Sequence, residues 1–337
     1  MTGVAEQAGQ YPVTLVADIG GTNARFALLV PGQAELQFVR ALPCADFDTL
    51  EAALMTYLAL LEETGAPVPK AACLAVAGAV DSDRVRLTNN PWQFSQLQLS
   101  ATLSLPLTVI NDFSAQAWCL PAIDPDHLHW IQRPATRPDD PLQIWQSGAR
   151  CVAGPGTGFG AATMTPSGDV LECEPGLCSF APTSERQADL LRQLWKDHPR
   201  VCHDMLLSGG GLVNIHRGLA RIDGNELPHT DSLLAADVLE AARQGDSRAL
   251  ESTHMFSAIL GAVCGDLALI MGTSGGLFLS GNLLQRFGEL FEQSVFMAAF
   301  NDKGPYSQWC RQVPVALWRL PQPGLAGCAA YVRARIG

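Results

Sequence analysis

Asp18 closes an apolar run, residues 13–17, and stands directly before Ile19-Gly20-Gly21-Thr22-Asn23. A carboxylate at the end of a buried strand, beside glycines that let backbone approach a ligand, can hold Mg²⁺ through water next to a phosphate. Residues 150–153 lead into a second such segment, Gly154-Pro155-Gly156-Thr157-Gly158-Phe159-Gly160, and Gly272-Thr273-Ser274-Gly275-Gly276 opens a third. Backbone N–H groups in these turns can cradle phosphate oxygens, although each alone is equally an ordinary hairpin turn. Asn111-Asp112 follows the apolar strand 107–110. Asp112 can accept a proton from a substrate hydroxyl there, or simply cap the helix that follows. Glu174, in Glu172-Cys173-Glu174-Pro175-Gly176, can accept hydrogen bonds from polyol hydroxyls or be an exposed loop acid. His127 and His129 form an isolated His-x-His, which reads as surface.

Other chemistries fall away. None of the three lysines, Lys70, Lys196 and Lys303, follows a glycine loop, so there is no Walker A motif. Gly156–Ala161 fits the dinucleotide fingerprint formally, but the chain after it resumes as a strand instead of opening a helix. Gly272–Gly276 matches a nucleophile elbow, yet a hydrolase of that class needs a later histidine and the last one is His254.

The elements that must position these residues follow from periodicity. Runs 13–17 and 26–30 joined by the Gly-Gly-Thr-Asn turn predict a hairpin, residues 49–63 a helix that stops at Gly65, and 71–80 and 107–110 buried strands. A helix is expected from 114, then a Pro- and Asp-rich connector over 121–141. Strand, Gly/Thr turn and strand recur at 150–164, with Thr22 and Thr157 at matching places, which suggests two related α/β halves. The second half predicts helices over 184–196, 210–219, 233–244, 246–270 and 283–295, a strand at 313–317 and a last helix at 324–335.

Composition bounds the class. The 337 residues are 47% apolar and 16% charged with a formal net charge of −11, so about two domains with a sizeable core are expected. An acidic chain with three lysines does not suit a nucleic-acid binder, which must neutralise phosphates. Residues 256–272 are apolar but carry Asp266 midway, which predicts a buried core helix and no membrane segment. The ten cysteines sit singly, without zinc-site spacing, and read as buried reduced thiols. The first residues lack a basic stretch followed by an apolar one, so no secretory signal is expected and the cytoplasm is the expected compartment.

Taken in order, the motifs resemble bacterial glucokinases, the hexokinase-like group of the actin-like ATPase fold. Ala17–Arg25 resembles the first phosphate motif, Val109–Phe113 the connecting segment with its catalytic Asp, Gly154–Gly160 the second phosphate motif and Gly275–Asn282 the adenosine motif. Residues 88–92, 180–182, 207–209 and 299–304 match further segments. The resemblance covers essentially the whole chain and implies a two-domain duplicated α/β (ribonuclease H-like) fold with a central cleft. It implies a small domain of residues 1–120 plus 318–337 and a large domain of 121–317. It also implies MgATP-dependent transfer to the 6-hydroxyl of glucose. On that reading Asp112 is the general base, and Asn111, Glu174 and Asp204 bind the sugar. Asp18, Gly20, Gly21, Thr22, Asn23, Gly156, Thr157, Gly158, Gly275 and Gly276 hold ATP, with Asp18 at the Mg²⁺.

Two departures fall in the sugar pocket. Leu177 replaces a sugar-contacting His, and Asp204 stands one methylene short of the usual Glu. Asn282 replaces a frequent Gly in the adenosine loop. A kinase of another hexose or sugar derivative and a weakly catalytic sugar-binding regulator therefore stay open beside glucokinase, as does a homodimer. A filament protein or chaperone ATPase of this fold has no reason to keep Asn111-Asp112 with Glu174.

Overall fold

The computed structural model describes residues 11–88, 90–133, 148–225 and 233–336. Asn89 of the 88–92 motif, residues 134–141 of the expected connector and the first ten residues lie outside the described residues. Two compact units emerge, one of Met1–Ile123 with Leu320–Gly337 and one of Asp124–Arg319.

The first unit runs β1 (Thr14–Ile19), β2 (Asn23–Leu29), β3 (Gln37–Pro43), α1 (Leu50–Glu63), β4 (Ala71–Val76), β5 (Arg84–Arg86), β6 (Gln93–Ser95), α2 (Gln96–Leu103), β7 (Leu107–Asn111) and α3 (Asp112–Trp118), and closes with the C-terminal helix Pro323–Arg335. Its five-stranded sheet has the order β3-β2-β1-β4-β7. β1–β2 and β2–β3 are antiparallel, whereas β1, β4 and β7 run parallel. β1 is apolar on both faces because both are covered. Leu15, Ala17 and Ile19 pack with Leu50, Leu54 and Tyr57 of α1, and Val16 points the other way to Leu325, Cys328 and Val332. The period-2 alternation therefore assigns Asp18 to the face of the C-terminal helix. α1 starts where Thr49 Oγ1 accepts the Ala52 N–H at 3.1 Å, and its buried residues recur every three or four positions.

The second unit contains β8 (Leu128–Gln132), β9 (Arg150–Pro155), β10 (Phe159–Met164), β11 (Val170–Cys173), α4 (Glu185–Leu194), α5 (Gly209–Ile222), α6 (Ala235–Arg243), α7 (Ser247–Met271), β12 (Gly276–Leu279), α8 (Asn282–Phe287), α9 (Gln293–Asn301), α10 (Ser307–Cys310) and β13 (Val315–Trp318). Its sheet order is β11-β10-β9-β12-β13-β8. An antiparallel hairpin, β9–β10, again adjoins parallel neighbours, β9–β12 and β12–β13. The expected repeat is thus present as topology. α7 is long and apolar enough to span a bilayer, yet 67% of its most apolar stretch is buried in this unit, as expected of a core helix.

Four expectations need correction. The helix expected from 114 begins at Asp112, because Asn111 caps it. The connector over 121–141 contains β8, which pairs antiparallel with β13. A continuous helix over 283–295 is broken at Gly288 (φ +55°) into α8 and α9. All ten cysteines are free, but Cys178 is exposed and Cys173 and Cys202 are only partly buried.

The C-terminal helix lies against α3 with no space to spare. A Cβ on Gly327 would sit 2.2 Å from the Ala115 carbonyl oxygen, a backbone atom that cannot swing aside. Gly327→Ala should therefore destabilise the protein by about 1–3 kcal/mol, the usual cost of overpacking, read as a melting temperature lower by several degrees in calorimetry. Unchanged melting would mean that this packing is loose.

Candidate active site

In the first unit, strand register builds the site. Parallel pairing sets Ile19 beside Val76, and Val76 beside Asn111, so the C-terminal ends of β1, β4 and β7 form one row. With strands about 4.8 Å apart, the end of β1 and the end of β7 lie about 10 Å from each other on one sheet edge. Open α/β sheets bind ligands beyond this kind of edge.

The turn after β1 is tied down from behind. The Gly20 N–H donates to Asn23 O at 3.1 Å, Asn90 Nδ2 donates to Gly20 O at 3.3 Å, and the Cys44 N–H donates to Thr22 O at 2.8 Å. Gly21 and Thr22 remain exposed, and Asn23 begins β2. Asp18 faces Arg25 across the hairpin, with Nη1 3.6 Å from Oδ2. Its carboxyl is largely buried, which raises its pKa, and the Arg25 charge only partly opposes that shift. A Cβ on Gly324 would lie 2.4 Å from the Asp18 carboxyl carbon, so the C-terminal helix must present glycine there.

At the end of β7 the capping role falls to Asn111 and not to Asp112. Asn111 Oδ1 accepts the N–H groups of Phe113 (2.8 Å) and Ser114 (3.2 Å), while Nδ2 donates to Gly78 O at 3.2 Å. Both ends of the Asn111 amide are thus engaged within the protein. Asp112 is the first helical residue, partly exposed, with Oδ1 3.0 Å from the Phe113 N–H.

In the second unit the β9–β10 turn exposes Gly156 and Thr157. The Gly156 N–H donates to Gly158 O at 2.7 Å, and the Gly209 N–H donates to Gly156 O at 3.0 Å. An added Cβ at Gly156 meets nothing within 4 Å, so the space over this turn is not taken by protein.

Gly275 and Gly276 require a correction. Gly276 begins β12 and pairs with Arg150, the first residue of β9, so both glycines lie at the sheet end away from the 156–158 turn. Six residue steps along β9, about 20 Å, separate Gly276 from it. The residue that does abut the turn's base is Gly281 at φ +121°, where a Cβ would lie 2.6 Å from Pro155 O. The Gly-Asn pair after β12 was the sequence signal for it. Beyond Gly281 opens a cavity of about 630 Å³, whose lining includes His129, Leu284, Gln285, Trp318 and Arg319.

Glu174 and Asp204 come together in this same unit. Glu174 precedes a one-turn 3₁₀ helix, Pro175–Leu177, and retains solvent exposure. Partial desolvation, then the neighbouring charge of Asp204, raises its pKa. Asp204 Oδ1 accepts the Phe159 N–H at 2.6 Å. His203, beside Asp204, holds its Nδ1 2.8 Å from Pro175 O. Leu177 is 55% exposed on the same loop.

Among the described residues no group of three His, Cys, Asp or Glu side chains could cage a metal. Mg²⁺ does not require one, since it keeps several waters and takes phosphate oxygens beside one or two carboxylates. Asp18, buried at the base of an exposed turn, fits that mode, and a site of that kind also suits a nucleotide's phosphates.

Known proteins align with this arrangement. The glucokinase family profile matches residues 15–335. A glucokinase from Chromohalobacter salexigens is 38% identical over 93% of this chain and 95% of its own, and one from Tolumonas auensis is 36% identical over 96% and 98%. The crystal structure of a glucokinase from an Antarctic psychrotroph superposes with a TM-score of 0.81 at 36% identity, covering 96% of this chain and all of that one. A ROK family transcriptional regulator shares the fold at 14% identity and a TM-score of 0.68, so fold alone does not separate kinases from regulators. The fold is the actin-like ATPase fold, and agreement over nearly the full length at this identity makes the chain a member of the glucokinase family.

Proposed function

We propose that the protein transfers the terminal phosphoryl group of ATP to the 6-hydroxyl of glucose. The observation that carries this reading is the strand-end row of the first unit, which sets the Asp18 turn and Asp112 on one sheet edge in a chain of this family. In the proposed reaction the Asp112 carboxylate accepts the hydroxyl proton as the sugar oxygen bonds to the γ-phosphorus and the bond to the β-phosphate oxygen breaks, releasing ADP. Gly20, Gly21, Thr22 and Asn23 orient phosphate oxygens from one turn, and Gly156, Thr157 and Gly158 from the other. The cavity past Gly281, within the size range of small-molecule sites, takes the adenosine end. Asp18 would hold Mg²⁺, which when bound would neutralise charge at the phosphates. Glu174 and Asp204 bind sugar hydroxyls, while Asn111 orders the backbone before Asp112. One Nδ2 hydrogen is spent on Gly78 O, and the other is the donor proposed for a sugar hydroxyl.

A second reading, a kinase for another hexose, is favoured by Leu177, whose exposed side chain can neither donate nor accept a hydrogen bond. Coupled ADP release across a panel of hexoses at fixed MgATP decides between them. Glucose should give the highest kcat/KM, and a chain that binds sugar without releasing ADP would be a regulator.

Asp112→Ala should lower kcat by about 10²–10⁴-fold while leaving the glucose Kd within a few-fold, and undiminished turnover would end the assignment of the base. Asp18→Asn should raise the Mg²⁺ concentration needed for activity by about 10–100-fold. The raised pKa of Asp18 means that its ionised form disfavours the fold at neutral pH. This variant should therefore melt no lower than the parent at neutral pH. Because the Glu174 pKa is raised, that group takes up its proton at a higher pH than an ordinary carboxylate. The KM for glucose should accordingly climb on acidification before ordinary carboxylates titrate, and Glu174→Gln should flatten that rise.

A further inference from the structure

The Asp204 carboxylate is wedged between two loops. Oδ1 accepts the Phe159 N–H at 2.6 Å, at the foot of the 156–158 turn. A Cβ on Gly158 would lie 2.9 Å from Oδ2, and one on Gly176 would lie 2.0 Å from Oδ1. Glycine on both sides is what admits the carboxylate. Among the described residues, Oδ2 accepts no hydrogen bond from the protein.

The segment bearing Asp204 is itself fastened to both loops. The His203 N–H donates to Cys178 O at 3.0 Å, and His203 Nδ1 lies 2.8 Å from Pro175 O, which binds the segment to the Glu174 loop. On the other side the Gly209 N–H donates to Gly156 O at 3.0 Å. Between them, Ser208 Oγ donates to Asp204 O at 2.7 Å and accepts the Gly211 N–H at 2.9 Å, which fixes Asp204 to the start of α5. The Phe159 N–H is spent on a side chain and is withheld from any phosphate, so its task is to set the shape of the turn.

We propose that Asp204 is a positioning residue that couples the two substrates, with one oxygen shaping the 156–158 turn and the other meeting the sugar held by Glu174. This rests on the kinase reading above. A hydroxyl bound at Oδ2 holds the carboxylate in the orientation that keeps Oδ1 on the Phe159 N–H, so sugar binding favours the turn geometry that receives phosphate. By reciprocity of linked equilibria, the nucleotide must tighten sugar binding by the same factor.

Calorimetry tests this with glucose as the probe, titrated with and without saturating Mg²⁺ and a non-hydrolysable ATP analogue. In the parent protein the analogue should tighten glucose binding by about fivefold or more, the low end of ordinary coupling. Asp204→Ala should bring that ratio to one. Asp204→Asn, which keeps an oxygen for the Phe159 N–H, should hold the ratio within about twofold of the parent even where its glucose Kd is weaker. Asp204→Ser, whose hydroxyl is too short to span the gap, answers the same question if the alanine variant does not fold, and it too should show a ratio of one. A parent ratio of one in a protein that releases ADP with glucose would overturn the coupling alone. A parent that neither binds glucose nor releases ADP would overturn both this and the kinase reading. Full coupling in the alanine or serine variant, or its loss in the asparagine variant, would also overturn it.

Discussion

The chemistry assigned to the first unit depends on one constraint, the parallel register that β4 imposes on its neighbours. β4 is Ala71–Val76, six residues buried on both faces, and it pairs with β1 on one side and β7 on the other. Because Val76 aligns with both Ile19 and Asn111, a glycine turn and a helix start leave the sheet at the same height. A slip of one residue on either side would turn the alternating faces over, and would send Asp18 into the α1 core in place of Val16's side. The small side chains of β4, with three alanines and a cysteine, let helices approach both faces and hold that register under load.

The second unit repeats the device with a different filling. Asp18 is the next-to-last residue of β1, and Gly154 is the next-to-last residue of β9. A side chain at Gly154 is excluded, because a Cβ there would fall 1.7 Å from Ser280 O. One copy of the hairpin thus carries a carboxylate, while the other gives up its side chain so that the strand-to-helix crossing after β12 can pass close by. The likeness of the two sheets lies in order and direction of strands, and their chemistry differs.

Much of this was legible in the sequence because the informative residues act locally. Gly-Gly-Thr-Asn and Gly-Pro-Gly-Thr-Gly announce hairpins wherever they occur between apolar runs, and Thr49 and Gly65 bracket α1 by capping rules that need no tertiary context. What escaped notice depended on partners far along the chain. Gly275 and Gly276 looked like part of a loop over ligand, since a four-residue strand gives no hint of which end faces the turn. β3 was missed because it is an edge strand, largely exposed and interrupted by Arg40, so its alternation is faint. β8 lies in a Pro- and Asp-rich stretch and is a strand only because β13 pairs with it. At Asn111-Asp112 the cap was foreseen but set one residue late, and two N–H groups on one amide oxygen decide the matter. Asp204 came from resemblance alone, since no short-range pattern marks a carboxylate whose partner is 45 residues away.

The face of the first sheet that bears Val16, Leu29, Cys73 and Ala75 is covered by Leu325, Cys328, Ala329 and Val332. Those covering residues emerge from the ribosome only after all of Asp124–Arg319 has been made. The earliest strands must therefore wait, that side covered only in part by Ala115 and Trp118 of α3, while the whole intervening unit is synthesised and free to collapse. Translation order and folding order are at odds here, and the nascent protein depends on its final helix to seal what its first strand began.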